Sequence, residues 1–231
     1  MSSKPINIAV TYKSNQIPAV VHSETKNGVI IINYPGADGH IDGYENKYEK
    51  IANFLVGKNL GTVIRLGNHP IPGINWETST QEVLQHTVEH ALENSLKLAG
   101  TNTPTIYLMG ASAGASAIAA VCSLYDEVKK VLLVAPSADA SWEAMENGLF
   151  NYQNELYITT GENDIFIGMH IAPLCKKVAV NASKAELITI PNCDHQFRGK
   201  ENGIILSKAP LWAFAGDDSY PNLDGGIHLY E

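Results

Sequence analysis

The sequence predicts an α/β protein: a mostly parallel central sheet of about eight strands, helices on both faces, and no cap domain. Three observations carry that expectation. Short, continuously apolar and β-branched runs recur along the chain, as strands buried on both faces of a parallel sheet require. Segments with apolar residues at helical spacing alternate with them. Two mixed runs at the start read as a hairpin at a sheet edge.

Residues 6–11 and 17–22 alternate apolar and polar side chains around Gln16 and its neighbours, and form the hairpin. The runs 28–33, 62–66, 105–109, 130–134, 155–159 and 186–190 are the parallel strands. In 81–99, Leu84, Val88, Ala91, Leu92 and Leu96 fall three and four apart and make one core-facing stripe. The segment 113–122 is nearly all Ala and Gly around Ile118 and Val121, so a helix there can lie close against a sheet. A third helix is expected in 171–180 and a fourth in part of 203–215, which Pro210 must start or kink. The mixed charges of 45–50 read as a solvated helix face. Residues 216–231, rich in Asp, Gly, Pro and Asn, have no period and read as an irregular tail. With no repeat and no low-complexity linker, residues 1–231 are expected to form one domain.

Composition narrows the function. The chain has 231 residues, 45% of them hydrophobic, enough for a sizeable core. Its net charge of −8 argues against a nucleic-acid partner, which needs clustered Lys and Arg. Cys122, Cys175 and Cys193 are odd in number and widely spaced, matching neither a metal pattern nor a disulfide framework, and point to a reducing compartment. The first dozen residues lack the basic start and apolar run of a secretory leader, and no apolar run approaches the roughly 20 residues that span a bilayer. A cytoplasmic protein without a membrane partner is expected. Neither G-x-G-x-x-G nor a P-loop is present, so no nucleotide cofactor is implied.

The sharpest local signal is Gly110-Ala111-Ser112-Ala113-Gly114, between the strand run 105–109 and the Ala-rich helix. A serine on a tight strand-to-helix turn takes a strained backbone that lifts its hydroxyl clear of the sheet. The chain doubles back so closely that the positions two before and two after must lack bulk. The helix start then aims N–H groups and its positive dipole end at a developing oxyanion. A Gly-rich turn carrying an N-capping serine would show the same five residues, and the flanking strand and helix favour the nucleophile. Two later strand ends add polar turns: Tyr157-Ile158-Thr159-Thr160-Gly161-Glu162-Asn163-Asp164 and Ile190-Pro191-Asn192-Cys193-Asp194-His195-Gln196-Phe197.

These three motifs, in this order on strand ends, resemble the α/β-hydrolase superfamily, in particular its small cap-less esterases and dienelactone-hydrolase-like members. The resemblance covers residues from about 6 to 215. It implies a catalytic triad of Ser112 as nucleophile, Asp164 as acid and His195 as base. Glu162 lies closer to its strand end and rivals Asp164; Asp194 is a weaker rival, since adjacent residues rarely direct side chains at each other. The resemblance also implies an oxyanion hole from the backbone N–H groups of Ala113 and Ala37, the latter in Tyr34-Pro35-Gly36-Ala37-Asp38. The sequence departs from the family in carrying Tyr34-Pro35 where a histidine often precedes the glycine, which leaves the second donor residue open. A plain turn would also satisfy Pro-Gly-Ala-Asp-Gly.

Other signals weigh less. His86-Thr87-Val88-Glu89-His90 fits H-x-x-E-H, a zinc-peptidase pattern. Its histidines lie roughly 200° from the Leu84/Val88 stripe at about 100° per residue, and no third ligand is evident. Cys193, two residues before His195, is expected as a buried small hydrophobe. About 20 residues separate the strands ending at Val134 and starting at Glu155, too few for a lid domain. His69, Trp76, Trp142, Met145, Phe150 and Phe166 are candidates for a pocket wall. The function expected is a cofactor-free, metal-free serine hydrolase cleaving a small-molecule ester. A thioesterase, lactone hydrolase, peptidase or acyltransferase would use the same triad, and a non-catalytic binding protein on this fold is the alternative of another class.

Overall fold

The computed structural model describes residues 5–24, 26–165 and 167–231. β1 (Ile6–Tyr12) and β2 (Asn15–His22) pair antiparallel as the expected edge hairpin. The remaining strands are β3 (Val29–Tyr34), β4 (Thr62–Leu66), β5 (Thr105–Ala111), β6 (Val128–Val134), β7 (Glu155–Gly161) and β8 (Lys184–Ile190). They form one eight-stranded sheet in the order β1-β2-β4-β3-β5-β6-β7-β8, antiparallel where β2 meets β4 and parallel from β4 through β8. All the parallel strands therefore end on one edge, where α/β folds place their ligands.

Strand alternation divides the core. Ile30, Ile32 and Tyr34 face one helical layer and Ile31 the other, all of them buried. Burying each such isoleucine contributes about 1.5–3 kcal/mol. The first layer is α2 (Trp76–Glu93), α4 (Ala113–Val121), α5 (Trp142–Asn151) and α6 (Gly168–Val178), with α3 (Ser95–Ala99) a short turn after α2. The second is α1 (Lys47–Gly57) and α7 (Lys200–Ala215). Among the described residues no helix is long and apolar enough to cross a membrane.

Four expectations change. The helix expected over 81–99 breaks at Asn94, where φ is −102° and the side-chain amide donates to His90 O at 2.8 Å. Leu96 consequently leaves the stripe and is exposed, while Leu84, Val88 and Ala91 are buried. The same helix starts early, at Trp76, because Asn75 caps it by accepting the Thr78 N–H at 3.2 Å. The fourth helix begins earlier than the expected 203, at Lys200, so that of the two positions expected for Pro210 it takes the interior one. The run 45–50 is not a freely solvated face: Tyr48 is buried and Lys50 Nζ donates to Leu229 O at 2.7 Å. The tail is irregular yet anchored, with Tyr220, Leu229 and Tyr230 buried in the second layer.

Candidate active site

Ser112 joins β5 to α4 with φ 52° and ψ −120°, a region that a non-glycine residue occupies only under constraint, at about 1–3 kcal/mol. The constraint is visible on each side. Ser112 N–H donates to Val134 O at 3.0 Å, and its carbonyl accepts the first helical bond from Ser116 N–H at 3.0 Å. A Cβ at Gly114 would sit 2.2 Å from Tyr34 O, and one at Gly110 would sit 2.8 Å from the Gly114 carbonyl carbon. Neither position has room for a side chain, so β3, β5 and α4 meet backbone to backbone around the serine. Ala113 is the first residue of α4, and its N–H has no partner within the helix.

The acid and histidine turns converge. Asp164 is buried, and its Oδ2 lies 2.7 Å from His195 Nδ1. A carboxylate only accepts, so Nδ1 donates in this contact, and in the neutral ring the lone pair lies on Nε2. Backbone bonds tie the two turns together: Glu162 N–H donates to Ile190 O at 2.9 Å and Asn163 N–H to Cys193 O at 2.8 Å. A Cβ at Gly161 would fall 2.2 Å from Cys193 O, so this approach also requires glycine. The rival acids point elsewhere. Exposed Glu162 accepts the Asn192 N–H at 3.1 Å, and Asp194 Oδ1 accepts Gln196 N–H at 3.1 Å and Arg198 N–H at 2.9 Å, shaping its own turn.

His195 and the residues just before the serine, Gly110 and Ala111, line one small cavity of about 30 Å³. No hydrogen bond closes Ser112 Oγ to His195 Nε2 among the described residues. Such contacts commonly tighten only when substrate binds. The same cavity is lined by Asn33 and Lys47, which the sequence did not single out. Burial pushes the Lys47 ammonium below its ordinary pKa, against the opposing charge of Asp194. Asn33 carried a readable signal, as a buried amide at the end of an apolar strand.

The turn after β3 packs on the serine: a Cβ at Gly36 would be 3.1 Å from Ser112 Cβ and 3.7 Å from Oγ. Gly39 N–H closes it on Gly36 O at 3.0 Å, with Asp38 at φ 52° and Ala37 exposed at its tip. Asn68, from the segment after β4, clamps it at both ends. Its amide donates to Pro35 O at 3.0 Å and its backbone N–H to Gly39 O at 3.0 Å. Its own carbonyl accepts from Tyr34 OH at 3.0 Å and Thr80 Oγ1 at 3.1 Å. Buried Asn68 was missed because its partners lie far apart in sequence.

The remaining candidates scatter. Cys193 is buried and its thiol is pushed up to about 12 by burial, which leaves it a poor nucleophile. His86 pairs with Glu89 at 3.2 Å, and no group of three His, Cys, Asp or Glu is arranged for a metal among the described residues. Of the expected pocket wall, His69 lines a cavity at the strand ends, but Met145 is core and accepts Ser116 Oγ at 3.1 Å. Trp142 packs on the core from α5, Trp76 starts α2, and Phe150 faces an outer groove between α2, α5 and α6. Phe166 lies outside the described residues.

The sheet order, the strained serine turn, the later acid and histidine turns and the lack of a cap define an α/β-hydrolase fold. No protein-family model and no curated protein matches the sequence. Solved structures match it closely in shape. The chain is similar to a dienelactone hydrolase from Anabaena variabilis, with TM-score 0.72 and 13% identity over 92% of this chain and 97% of that one. It is similar to Est1E from Butyrivibrio proteoclasticus, with TM-score 0.70 and 14% identity over 88% and 95%. It is also similar to EstE1, a thermophilic carboxylesterase from a metagenomic library, with TM-score 0.68 and 15% identity over 85% and 82%.

Proposed function

We propose that the protein is a serine hydrolase that cleaves a small carboxylic ester through an acyl-enzyme on Ser112. The observation that carries this is the Asp164–His195 pair, 2.7 Å apart, with His195 lining one cavity together with Gly110 and Ala111, the residues just before the strained serine. The names of the structural neighbours, a dienelactone hydrolase and a carboxylesterase, agree in class with that chemistry.

His195 Nε2 takes the Ser112 hydroxyl proton as Oγ bonds to the ester carbonyl carbon, and the carbonyl oxygen becomes an oxyanion. The N–H groups of Ala113 and Ala37 hold that oxyanion; removing one such donor typically costs about 10²–10³ in rate. Asp164 stabilises the imidazolium and fixes its orientation. His195 then protonates the departing alkoxide, and water, deprotonated by His195 in its turn, cleaves the acyl-serine. Residues 135–154 between β6 and β7 hold only α5 and its loops, so the site stays open and suits a small or flexible ester. Thioester, lactone and amide substrates would use the same groups.

A fluorophosphonate probe and a short p-nitrophenyl ester series on wild type and Ser112→Ala test the proposal. Labelling and turnover in wild type, both lost in Ser112→Ala, are expected. Activity that persists undiminished in the variant overturns it, and parallel thioester and lactone assays fix the bond type.

A further inference from the structure

A second cavity, about 340 Å³, opens on the same edge of the sheet. Its apolar walls are Ile17 and Pro18 of β2, Pro70, Ile71 and Pro72 of the segment after β4, and Val83 of α2, with the uncharged Asn15, Gln16 and Ser79 beside them. The floor includes Tyr34, Asn68 and Thr80, whose polar atoms are spent on one another and on Pro35 O. Among the described residues no Asp, Glu, Lys or Arg lines it. The rim carries His40 and His69, ring edge to face at 5.3 Å, with His69 Nδ1 held by Asp38 at 2.9 Å.

Each feature constrains an occupant. An ionised group would enter without a charged partner and would lose its hydration uncompensated. A cavity of about 150 Å³ takes a benzene ring, so this one takes roughly a bicyclic ring system. Proline rings present flat apolar faces to such a system. The cavity also lies within reach of the serine. The turn that sets Gly36 against Ser112 closes at Gly39, and the next residue, His40, lines the cavity. A four-residue turn spans less than about 7 Å, which puts the His40 wall within about 15 Å of Ser112.

We propose that this cavity receives an uncharged bicyclic aromatic part of the ester, which makes the substrate class an aryl ester; this rests on the serine-hydrolase reading above. Ile71→Trp, and at the half-buried rim Ile17→Trp, fill the cavity while leaving Ser112, Asp164 and His195 untouched. With either variant, kcat/KM should fall tenfold or more for 2-naphthyl acetate or for p-nitrophenyl 2-naphthoate, and stay within twofold for vinyl acetate. The two aryl esters tell an alcohol-side ring from an acyl-side ring. Equal loss on all three esters, or no loss on either aryl ester, in a variant of unchanged far-ultraviolet dichroism overturns the proposal. A second readout needs no turnover: Ser112→Ala should bind 2-naphthol saturably by fluorescence, and adding Ile71→Trp or Ile17→Trp should weaken that binding tenfold or more. Absence of binding, or binding that both fillings leave unchanged, also overturns it. If wild type hydrolyses no ester while 2-naphthol binding behaves as expected, the hydrolase reading fails and the cavity assignment stands.

Discussion

Gly161→Ala strikes the contact on which the acid–histidine geometry depends. Gly161 ends β7 three residues before Asp164, and its φ lies outside the left-handed region, so alanine meets no torsional penalty there. The cost is contact. The new Cβ would lie 2.2 Å from Cys193 O, 2.6 Å from the Cys193 carbonyl carbon and 2.8 Å from Asp194 O. All three are backbone atoms and cannot swing aside. Ordinary contacts begin near about 3.5 Å, so the histidine turn must retreat by about 1 Å. That strains the Asn163–Cys193 bond and opens the 2.7 Å Asp164–His195 contact. A misplacement of about 1 Å costs on the order of 10²-fold in rate, so kcat should fall about that far with KM little changed. Overpacking of this kind destabilises by about 1–3 kcal/mol, which at about 2–4 °C per kcal/mol lowers Tm by about 2–12 °C. Turnover of p-nitrophenyl acetate and a thermal melt read the two effects. Gly57→Ala, at the end of α1 with nothing within 4 Å of the new Cβ, is the control; it should gain about 0.5–1 kcal/mol and keep its turnover. A folded Gly161→Ala protein with wild-type kcat and Tm would refute the coupling of the two turns.

Asp164→Asn should lower kcat by about 10⁴ by inverting the hydrogen bond that fixes the imidazole tautomer, whereas Glu162→Gln, whose exposed carboxylate accepts the Asn192 N–H, should cost less than tenfold. A larger loss at Glu162 would reverse the acid assignment. Stability should fall with acid through His22. Its Nε2 accepts Arg65 Nε at 3.0 Å and its Nδ1 faces Asn53 Oδ1 at 2.9 Å, an arrangement only the neutral ring satisfies. Burial first and then the Arg65 charge depress its pKa below the ordinary value of 6.5, with Asn53, Glu49 and Asp42 opposing. The unfolded chain binds a proton near pH 6.5 that the folded one refuses, so this contribution is complete above that pH and is lost as pH falls below it. Urea midpoints at pH 7.5, 6.5 and 5.5 should drop more steeply for wild type than for His22→Gln; parallel curves would count against the assignment.

The parallel strands were legible because each is short and mostly apolar, the edge hairpin because its two runs alternate, and the serine turn because its two glycines and its flanking elements are local. What escaped was non-local or depended on one backbone angle. Nothing in the sequence around Asn94 shows that its side chain will bond His90 O and end the helix there. The start of α1 was hidden by the left-handed Glu45 and Asn46 ahead of it, at φ 50° and 58°. Gly161 reads as an ordinary turn glycine until Cys193 is brought against it, 32 residues later in the chain. Asn68 likewise gains its place from Pro35, Tyr34 and Thr80 only after the strands assemble.

The C-terminal tail shows how a site without a cap can keep its geometry. Tyr220 stacks on Trp212 of α7 with centroids 4.9 Å apart and shares a hydrogen bond with Thr159 Oγ1 at 2.8 Å, two residues before Gly161. Buried Lys208 bonds Ser219 Oγ at 2.8 Å and pairs with Asp217 at 3.4 Å, and this pairing offsets the cost of enclosing its charge. Tyr230 OH donates to Gln196 O at 3.2 Å, next to His195, while Lys50 holds Leu229 O. The tail therefore braces the strand behind the acid turn and the backbone of the histidine turn. Its composition reads as loop because it follows an irregular surface and needs only a few anchors. The histidine turn is then held by its own Asp194 bonds, by the Asn163 bond from the acid turn and by Tyr230 from the tail. Groups held this way by surrounding contacts are positioned before substrate arrives. An open mouth is thus compatible with a fixed acid–histidine pair, because the ordering comes from beneath the site rather than from a lid above it.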